Sequence, residues 1–369
     1  MIVKIGDVIS EYSVRNKFDE NIPVYSVTNE KGFCTGYFSK EVASKDKSTY
    51  KIVPRGYFAY NLSRINVGSV DWQKYEDRVI VSPLYVVFGV SDRLDRQYLL
   101  HYLKSDMMLS FIKEYATGSV RDNLKLADLG KFPINLRPVE EQRQIATTLD
   151  KIDDLIAKRR QQLDKLDELV KSRFIEMFGD LADPACDWPQ SKLTEVCADP
   201  DDIKCGPFGT QLNKAEYRHE GVALWEIPQI NAQFRVEPTH YLDFDKAAEL
   251  DAYSIIPGDI AMSRKGNVGQ CAVFPCDYMP GIIHSDVLRI RVDSGKMVPI
   301  FMMYQLHYSG TVKRQIEQVS SGAIMAGINV TKLKSIMVHL PPLELQEQFA
   351  DFVTQIDKSK SFDDLEVAA

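Results

Sequence analysis

The sequence lacks the features that would place it in a membrane or outside the cell. No stretch approaches the 18 apolar residues of a membrane-spanning helix, and the opening MIVKIGDVI has no long apolar run typical of a signal peptide. Its six cysteines form no C-x-x-C pair and no spacing that matches a pair of histidines. We therefore predict a cytoplasmic protein with reduced thiols and no metal site.

Recognisable catalytic motifs are also missing. There is no G-x-x-x-x-G-K-[ST] loop to cradle phosphates, and no Glu-x-Lys tripeptide of the kind found in metal-dependent nucleases. SPLY at 82–85 only loosely resembles the [DN]PP[YF] motif of adenine methyltransferases, because it lacks the second proline and a Gly-rich loop upstream. The sequence therefore predicts a chain with no catalytic residues and no cofactor of its own.

Charge is unevenly distributed along the chain. The formal net charge is −7, yet residues 1–138 hold 20 Lys and Arg against 16 Asp and Glu. Residues 183–369 hold 17 against 26. Because local patches decide phosphate binding, this balance lowers the odds of a nucleic-acid partner without excluding one.

A long amphipathic helix is predicted between Pro138, which permits a helix start, and Gly179, which favours a stop. Its apolar residues follow alternating steps of three and four, the pattern of a coiled-coil seam. The seam residues are Leu149, Ile152, Ile156, Leu163, Leu166, Val170 and Met177. A helix of this length typically separates two globular parts.

The beginning of this helix recurs near the end of the chain. Residues 134–153 align without gaps on residues 338–357, with eight identities at one offset of 204, which is 342 − 138 for the two prolines. The second copy places Phe349, Val353 and Ile356 on the matching face. We infer a tandem duplication of a globular unit followed by a helix.

The repeat predicts a two-domain α/β (α+β) organisation. In each globular unit, short apolar segments broken by Gly, Asn, Asp and Pro predict a twisted sheet, followed by a single helix at 95–113 or at 298–315. The predicted divisions are a first globular domain at 1–138, a helix at 139–179, a linker at 180–191, a second domain at 192–341 and a short C-terminal helix at 342–369.

Loops rich in Arg, Lys, Asn, Gln, Ser and Gly occur at matching points of both units. Arg and Lys suit guanine edges and phosphates, and Asn and Gln suit adenine edges, so we predict DNA contacts there. The candidates are Lys45, Lys47, Arg64, Asn66, Arg121 and Asn123 in the first unit, and Lys204, Gln211, Lys214, Arg264, Lys265 and Asn267 in the second. For any single residue, a solvated surface loop is an equally good interpretation.

Several segments carry a family resemblance. GPFGTQLNKAEYRHEGVALWEIPQI (206–230), IIPGDIAMSRKGNVGQCAVFP (255–275), PPLELQEQ (341–348) and RFIEMFGD (173–180) resemble segments of the specificity (S) subunit of type I restriction-modification systems. RPVEEQ replaces the usual PPLxEQ in the first repeat, and GPFG has no counterpart in the first unit.

The resemblance implies two target recognition domains, each reading one half of a bipartite, asymmetric double-stranded DNA target. The helices would be conserved spacers that pair antiparallel around an internal pseudo-twofold axis, set the distance between half-sites and dock two methyltransferase (M) subunits. Family S subunits are non-catalytic. S-adenosylmethionine, ATP and Mg would be bound by the M subunits and the restriction (R) subunits.

Two other functions are also compatible with these residues. A duplicated protein-only scaffold or adaptor would use the two domains to bind two copies of a protein without reading DNA. An enzyme with a hidden nuclease or methyltransferase site is the third, and the missing motifs argue against it.

Overall fold

The structure is a computed structural model that describes residues 1–36, 46–115, 123–183, 186–266, 268–321 and 327–366. The chain divides into two compact units, Met1–Arg159 and Arg160–Ala369, and each is described by itself. All six cysteines lie within the described residues and carry free thiols.

The first unit is built on short strands, as its alternating apolar segments predict. Four of them form an antiparallel sheet in the order β2-β9-β6-β7, and β1 pairs with β10. Phe58 faces Phe88 across this sheet, and their rings stack at 5.0 Å within the core. The strands are β1 (Ile2–Lys4), β2 (Ile9–Glu11), β3 (Ser26–Thr28), β4 (Gly32–Cys34), β5 (Lys51–Pro54), β6 (Phe58–Asn61), β7 (Val70–Trp72), β8 (Arg78–Val81), β9 (Tyr85–Val90) and β10 (Pro133–Asn135).

The helices of the first unit correct one prediction. The helix predicted over 95–113 is two helices, because Ser105 has extended backbone angles and ends the first of them. The Ser105 hydroxyl donates to the Tyr102 carbonyl and accepts from the Met108 amide, so one serine caps both helix ends. The helices are α1 (Arg96–Lys104), α2 (Asp106–Tyr115), α3 (Leu126–Leu129) and α4 (Val139–Phe178), the last of which continues into the second unit.

The second unit repeats the same sheet. Its strands β12-β19-β16-β17 are antiparallel and hydrogen-bonded in the same order as β2-β9-β6-β7, and β11 pairs with β22 as β1 does with β10. A further sheet has the order β14-β13-β18-β15. The strands are β11 (Gln190–Lys192), β12 (Ile203–Cys205), β13 (Val222–Trp225), β14 (His240–Leu242), β15 (Ser254–Ile255), β16 (Ile260–Ser263), β17 (Cys271–Val273), β18 (Gly281–Ile283), β19 (Val287–Ile290), β20 (Ser320–Ser321), β21 (Gly327–Ile328) and β22 (Met337–His339).

The helix predicted over 298–315 is also two helices. Ser309 ends the first with extended angles, and its hydroxyl accepts from the Val312 amide to cap the second. The stretch predicted as a linker packs on this unit, because Leu181 is buried and the Trp188 indole donates to the Phe178 carbonyl. The helices are α5 (Ile227–Asn231), α6 (Phe244–Glu249), α7 (Pro299–Tyr308), α8 (Gly310–Val319), α9 (Val330–Leu333) and α10 (Leu343–Glu366).

The duplication predicted from the sequence is confirmed by the elements before the long helices. The starts of α3 and α9, of β10 and β22, and of α4 and α10 all differ by 204 residues (330 − 126, 337 − 133 and 343 − 139). Gln142 and Gln346 are both buried and make the same bonds. Each side-chain oxygen accepts a hydrogen bond from the main-chain amide just before the preceding helix pair. Gln142 accepts from Asp95 at 2.8 Å, and Gln346 accepts from Val298 at 2.9 Å.

Candidate DNA interface and spacer helices

The candidate residues Arg64 and Asn66 lie in the hairpin loop between β6 and β7. Arg64 precedes a single 3-10 turn, Ile65–Val67, which Gly68 ends in the left-handed region at φ 82°. Ile65 is buried and anchors the turn, while Arg64 is exposed. The loop therefore holds a cation at the end of a rigid sheet, an arrangement suited to contacting a charged ligand.

The structure brings Asn123 to the same loop. The Leu124 amide donates to the Leu62 carbonyl at 3.3 Å, and the Tyr60 hydroxyl donates to the Leu124 carbonyl at 3.0 Å. Lys47 has a different neighbour, because its amide donates to Asp19 at 3.0 Å. The candidates Lys45 and Arg121 lie outside the described residues.

In the second unit, Arg264 and Lys265 occupy the equivalent hairpin loop, between β16 and β17. Arg264 is half-buried, and its guanidinium donates to the carbonyls of Ile328 (3.3 Å) and Ser285 (3.5 Å). The Lys265 ammonium is 2.8 Å from the Asp286 carboxylate. Both side chains are thus partly engaged within the unit. Asn267, the third candidate of this loop, lies outside the described residues.

Lys204, in β12, and Gln211, on the segment that follows β12, lie beside that loop. The Gln211 side-chain oxygen accepts from the Tyr253 hydroxyl at 3.1 Å, and the Lys204 ammonium lies 5.6 Å from the centre of the Tyr253 ring. Burial raises the pKa of the Cys205 thiol, and the nearby charges of Arg264 and Lys204 act in the opposite direction. Cationic groups from β12 and from the β16–β17 loop therefore lie close together near Cys205 in the second unit.

Phe208 belongs to this group, although it is not among the candidates predicted from the sequence. Its ring is 47% exposed and lies 4.8 Å from the guanidinium carbon of Arg264. The available signal was an aromatic residue beside glycine within a polar loop. Lys214 is exposed on the 3-10 turn Lys214–Glu216, and among the described contacts none joins its side chain to this group.

The second half of α4 packs antiparallel against α10 within the second unit. The rings of Phe174 and Phe349 lie 5.4 Å apart between their centres. Asp167, seven residues before Phe174 on α4, contacts Lys360, eleven residues after Phe349 on α10. Val170, Phe349 and Val353 are buried on this seam, whereas Leu163, Leu166 and Ile356 are half-buried. In this half of α4, Val170 at a predicted seam position shares one buried core with Phe349 and Val353 of α10.

A cluster of charged side chains lies at the far end of the contact between α4 and α10. The Lys360 ammonium donates to Asp167 at 2.8 Å and to Asp357 at 3.1 Å. Burial alone would lower the pKa of Lys360, but the hydrogen bonds to the two carboxylates outweigh it and raise that pKa. A charged pair among apolar seam residues favours one helix register over its alternatives.

On the first half of α4, the predicted seam residues are more exposed. Leu149, Ile152 and Ile156 are 37%, 46% and 46% exposed. The described α10 ends at Glu366, six residues past Lys360 (366 − 360). An apolar face on the first half of the helix is thus left open to solvent.

The described residues, 1–36, 46–115, 123–183, 186–266, 268–321 and 327–366, also bear on metal binding and membrane insertion. No group of three His, Cys, Asp or Glu side chains within those ranges could hold a metal ion. In the same part of the chain, no helix is long and apolar enough to cross a membrane.

Comparison with known proteins gives the family. A family model described as the type I restriction modification DNA specificity domain matches residues 2–168 and 187–363. Two relatives come from Methanocaldococcus jannaschii. One, assigned as the MjaX type I restriction enzyme specificity subunit, is 24% identical over 338 residues, which cover 87% of this chain and 76% of that protein. The other, the MjaVIII specificity subunit, is 25% identical over 72% of this chain and 64% of its own length.

Solved structures share the fold. The crystal structure of the type I restriction-modification S subunit from M. genitalium matches with a TM-score of 0.58 and 14% identity, over 100% of this chain and 92% of that one. A chain from a structure of type I R-M complex assembly and conformational transition matches with a TM-score of 0.52 and 18% identity, over 98% and 90%. Because the family match covers nearly the whole sequence, this chain belongs to the type I restriction modification DNA specificity domain family and carries two copies of the domain.

Proposed function

We propose that this chain is the non-catalytic specificity subunit of a type I restriction-modification complex. Each unit reads one half of a bipartite, asymmetric DNA target, and the long helices set the distance between the halves. The observation that carries the proposal is the repeated sheet, in which the equivalent hairpin loop carries Arg64 and Asn66 in one unit and Arg264 and Lys265 in the other. Two similar readers on one chain match two half-sites on one DNA molecule.

DNA reading is tested at Arg64, which is exposed and precedes the turn of the first loop. If this side chain reads a base, Arg64→Ala weakens binding to the cognate duplex by about 1–3 kcal/mol. The loss is confined to one base pair of one half-site, and preference in the other half is unchanged. Fluorescence anisotropy with single-base variants of the target measures it.

The matched control for this experiment is Lys4→Ala, which removes an exposed charge from β1 of the same unit. It leaves the base preferences of both half-sites unchanged. An equal loss on every sequence for Arg64→Ala assigns Arg64 to a phosphate instead of a base. If Arg64→Ala does not change the affinity for any duplex, Arg64 does not contact the DNA.

The open face of α4 supports a docking role. Leu149, Ile152 and Ile156 present exposed apolar area on a rigid helix, and such area commonly marks a protein contact. We propose that M subunits bind the helical part of the chain there, and that restriction subunits join through that assembly. The S-adenosylmethionine, ATP and Mg of the complex are then bound by those partners.

Ile152→Asp tests this docking. A charge on the open face disfavours apolar contact, so co-purification with the M subunit falls at least tenfold, while the chain itself keeps its thermal unfolding midpoint because Ile152 is already exposed. Thr147→Asp, an exposed position on the same helix, is the control and leaves association intact. Equal co-purification of the two variants contradicts the assignment of this face.

A further inference from the structure

The exposed ring of Phe208 needs a physical reason, because burying a phenylalanine side chain is favourable by about 1.5–3 kcal/mol. In the second unit, Phe174, Phe234, Phe274, Phe301 and Phe349 are fully or almost fully buried, Phe244 is 76% exposed, and Phe208 keeps 47% of its surface accessible. It lies among Lys204, Arg264 and Gln211 on the candidate DNA face.

The loop that carries Phe208 is built to approach the sheet closely. The Gly206 amide donates to the Val287 carbonyl at 3.1 Å. A Cβ atom at Gly206 would lie 2.3 Å from the His284 carbonyl oxygen and 2.4 Å from that of Ile283, so only glycine fits there. Gly209 follows at φ +57°, a left-handed conformation that glycine adopts without strain.

Gln211 fixes the backbone of Phe208 from both sides. The Gln211 amide donates to the Phe208 carbonyl at 3.1 Å, and its side-chain oxygen accepts from the Phe208 amide at 3.1 Å. Since the same oxygen also accepts from Tyr253, the amide side chain has little capacity left for a bidentate contact with a base. Gln211 therefore shapes the loop.

Arg264 supports the ring from the side. Its guanidinium carbon lies 4.8 Å from the ring centre, within the range of a cation–π contact, while two of its N–H groups bond to main-chain carbonyls. A guanidinium held in this way cannot offer its full fork to a guanine edge. The group presents the ring of Phe208, and not the arginine fork, as its most accessible contact.

We propose that Phe208 is a specificity-determining residue that packs on the C5-methyl group of a thymine in the half-site read by the second unit, with Arg264 as its positioning residue. The methyl group is the apolar feature that the major groove presents, and an aromatic side chain is among those that contact it. This inference rests on the proposed function, because it requires that the second unit binds DNA.

The experiment uses the full chain assembled with its M subunit. The DNA is a duplex with the target sequence, identified as the sequence that becomes methylated in cells expressing the two subunits. Each thymine of the second half-site is replaced in turn by deoxyuridine, which pairs identically but lacks the methyl group. Wild-type protein binds one of these duplexes roughly fourfold more weakly, the value of about one buried methyl group. Phe208→Ala binds the thymine and deoxyuridine duplexes equally, and Phe208→Leu, which keeps apolar bulk, retains part of the difference.

Phe244→Ala is the matched control, because Phe244 is a 76% exposed aromatic residue of the same unit outside the group. It keeps the wild-type ratio between the two duplexes. Arg264→Ala reduces that ratio, and Arg264→Lys, which keeps a cation beside the ring, restores part of it.

Three outcomes overturn the inference: a second half-site without an A·T pair, no thymine position that distinguishes the duplexes in wild-type protein, or an unchanged ratio in Phe208→Ala. Wild-type protein that fails to bind any bipartite duplex overturns the proposed function itself. The two failures are therefore distinguishable.

Discussion

Phe174→Ala is expected to lower the free energy of unfolding of the second unit by about 3–5 kcal/mol, the usual cost of truncating a buried phenylalanine. Phe174 is 2% exposed, and its ring centre lies 5.1–5.9 Å from those of Phe178, Phe301, Tyr308 and Phe349. These rings come from α4, α7 and α10, so the cavity left by alanine would be shared by three helices.

Urea unfolding followed by tryptophan fluorescence, to which Trp188 and Trp225 of the second unit and Trp72 of the first unit contribute, measures this change. The control is Ile175→Ala, which truncates the next residue of the same helix at 47% exposure and is expected to cost less than about 1 kcal/mol. Similar losses for the two variants would mean that α4 does not contribute to this core.

Gln346→Leu is expected to destabilise the second unit by several kcal/mol, although leucine is similar in volume. The Gln346 side chain accepts from the Val298 amide at 2.9 Å and donates to the Pro341 carbonyl at 2.8 Å, fully buried. Leucine would leave both main-chain groups without a partner, at about 1–3 kcal/mol each. Gln142→Leu is expected to do the same in the first unit.

The repeat supplies the control for these glutamines. Gln144 and Gln348 are also identical between the two copies, but both are exposed. Their replacement by leucine is expected to change the free energy of unfolding by no more than about 0.5 kcal/mol. If the buried and exposed pairs behave alike in urea unfolding, the shared hydrogen bonds are not what holds the long helices to the preceding helix pairs.

The sequence predicted the parts of the fold that depend on local pattern. The proline and acidic residues at 138–141 and the spacing of three and four placed α4 to within a residue, and one constant offset identified the duplication. The short strands followed from their alternating apolar segments. These signals are all carried by neighbours in the chain.

The features that the sequence did not predict depend on single side chains or on distant partners. Ser105 and Ser309 each divide a helix whose apolar spacing continues through the break, so periodicity alone hides the caps. The open face at Leu149 and Ile152 follows the same spacing as the buried seam, since a pattern predicts an apolar stripe and not what covers it.

The candidate DNA residues show the same division. Spacing between repeats selected the loops, and the structure places Arg264 and Gln211 together on one face. Their hydrogen bonds with Ser285, Ile328 and Tyr253 join segments 21–64 residues apart, which no local rule predicts. Because these hydrogen bonds hold the side chains of Arg264 and Gln211 within the unit, Phe208 is the more accessible side chain of the group.

The central claim is that two similar units on one chain read two halves of one DNA sequence. Methylome sequencing of cells that express this chain together with its methyltransferase (M) subunit tests this claim most directly. The account predicts a split motif with a fixed gap and methylated adenine in both halves. A stable complex with the methyltransferase but no new methylation would contradict DNA reading and favour a protein-only adaptor.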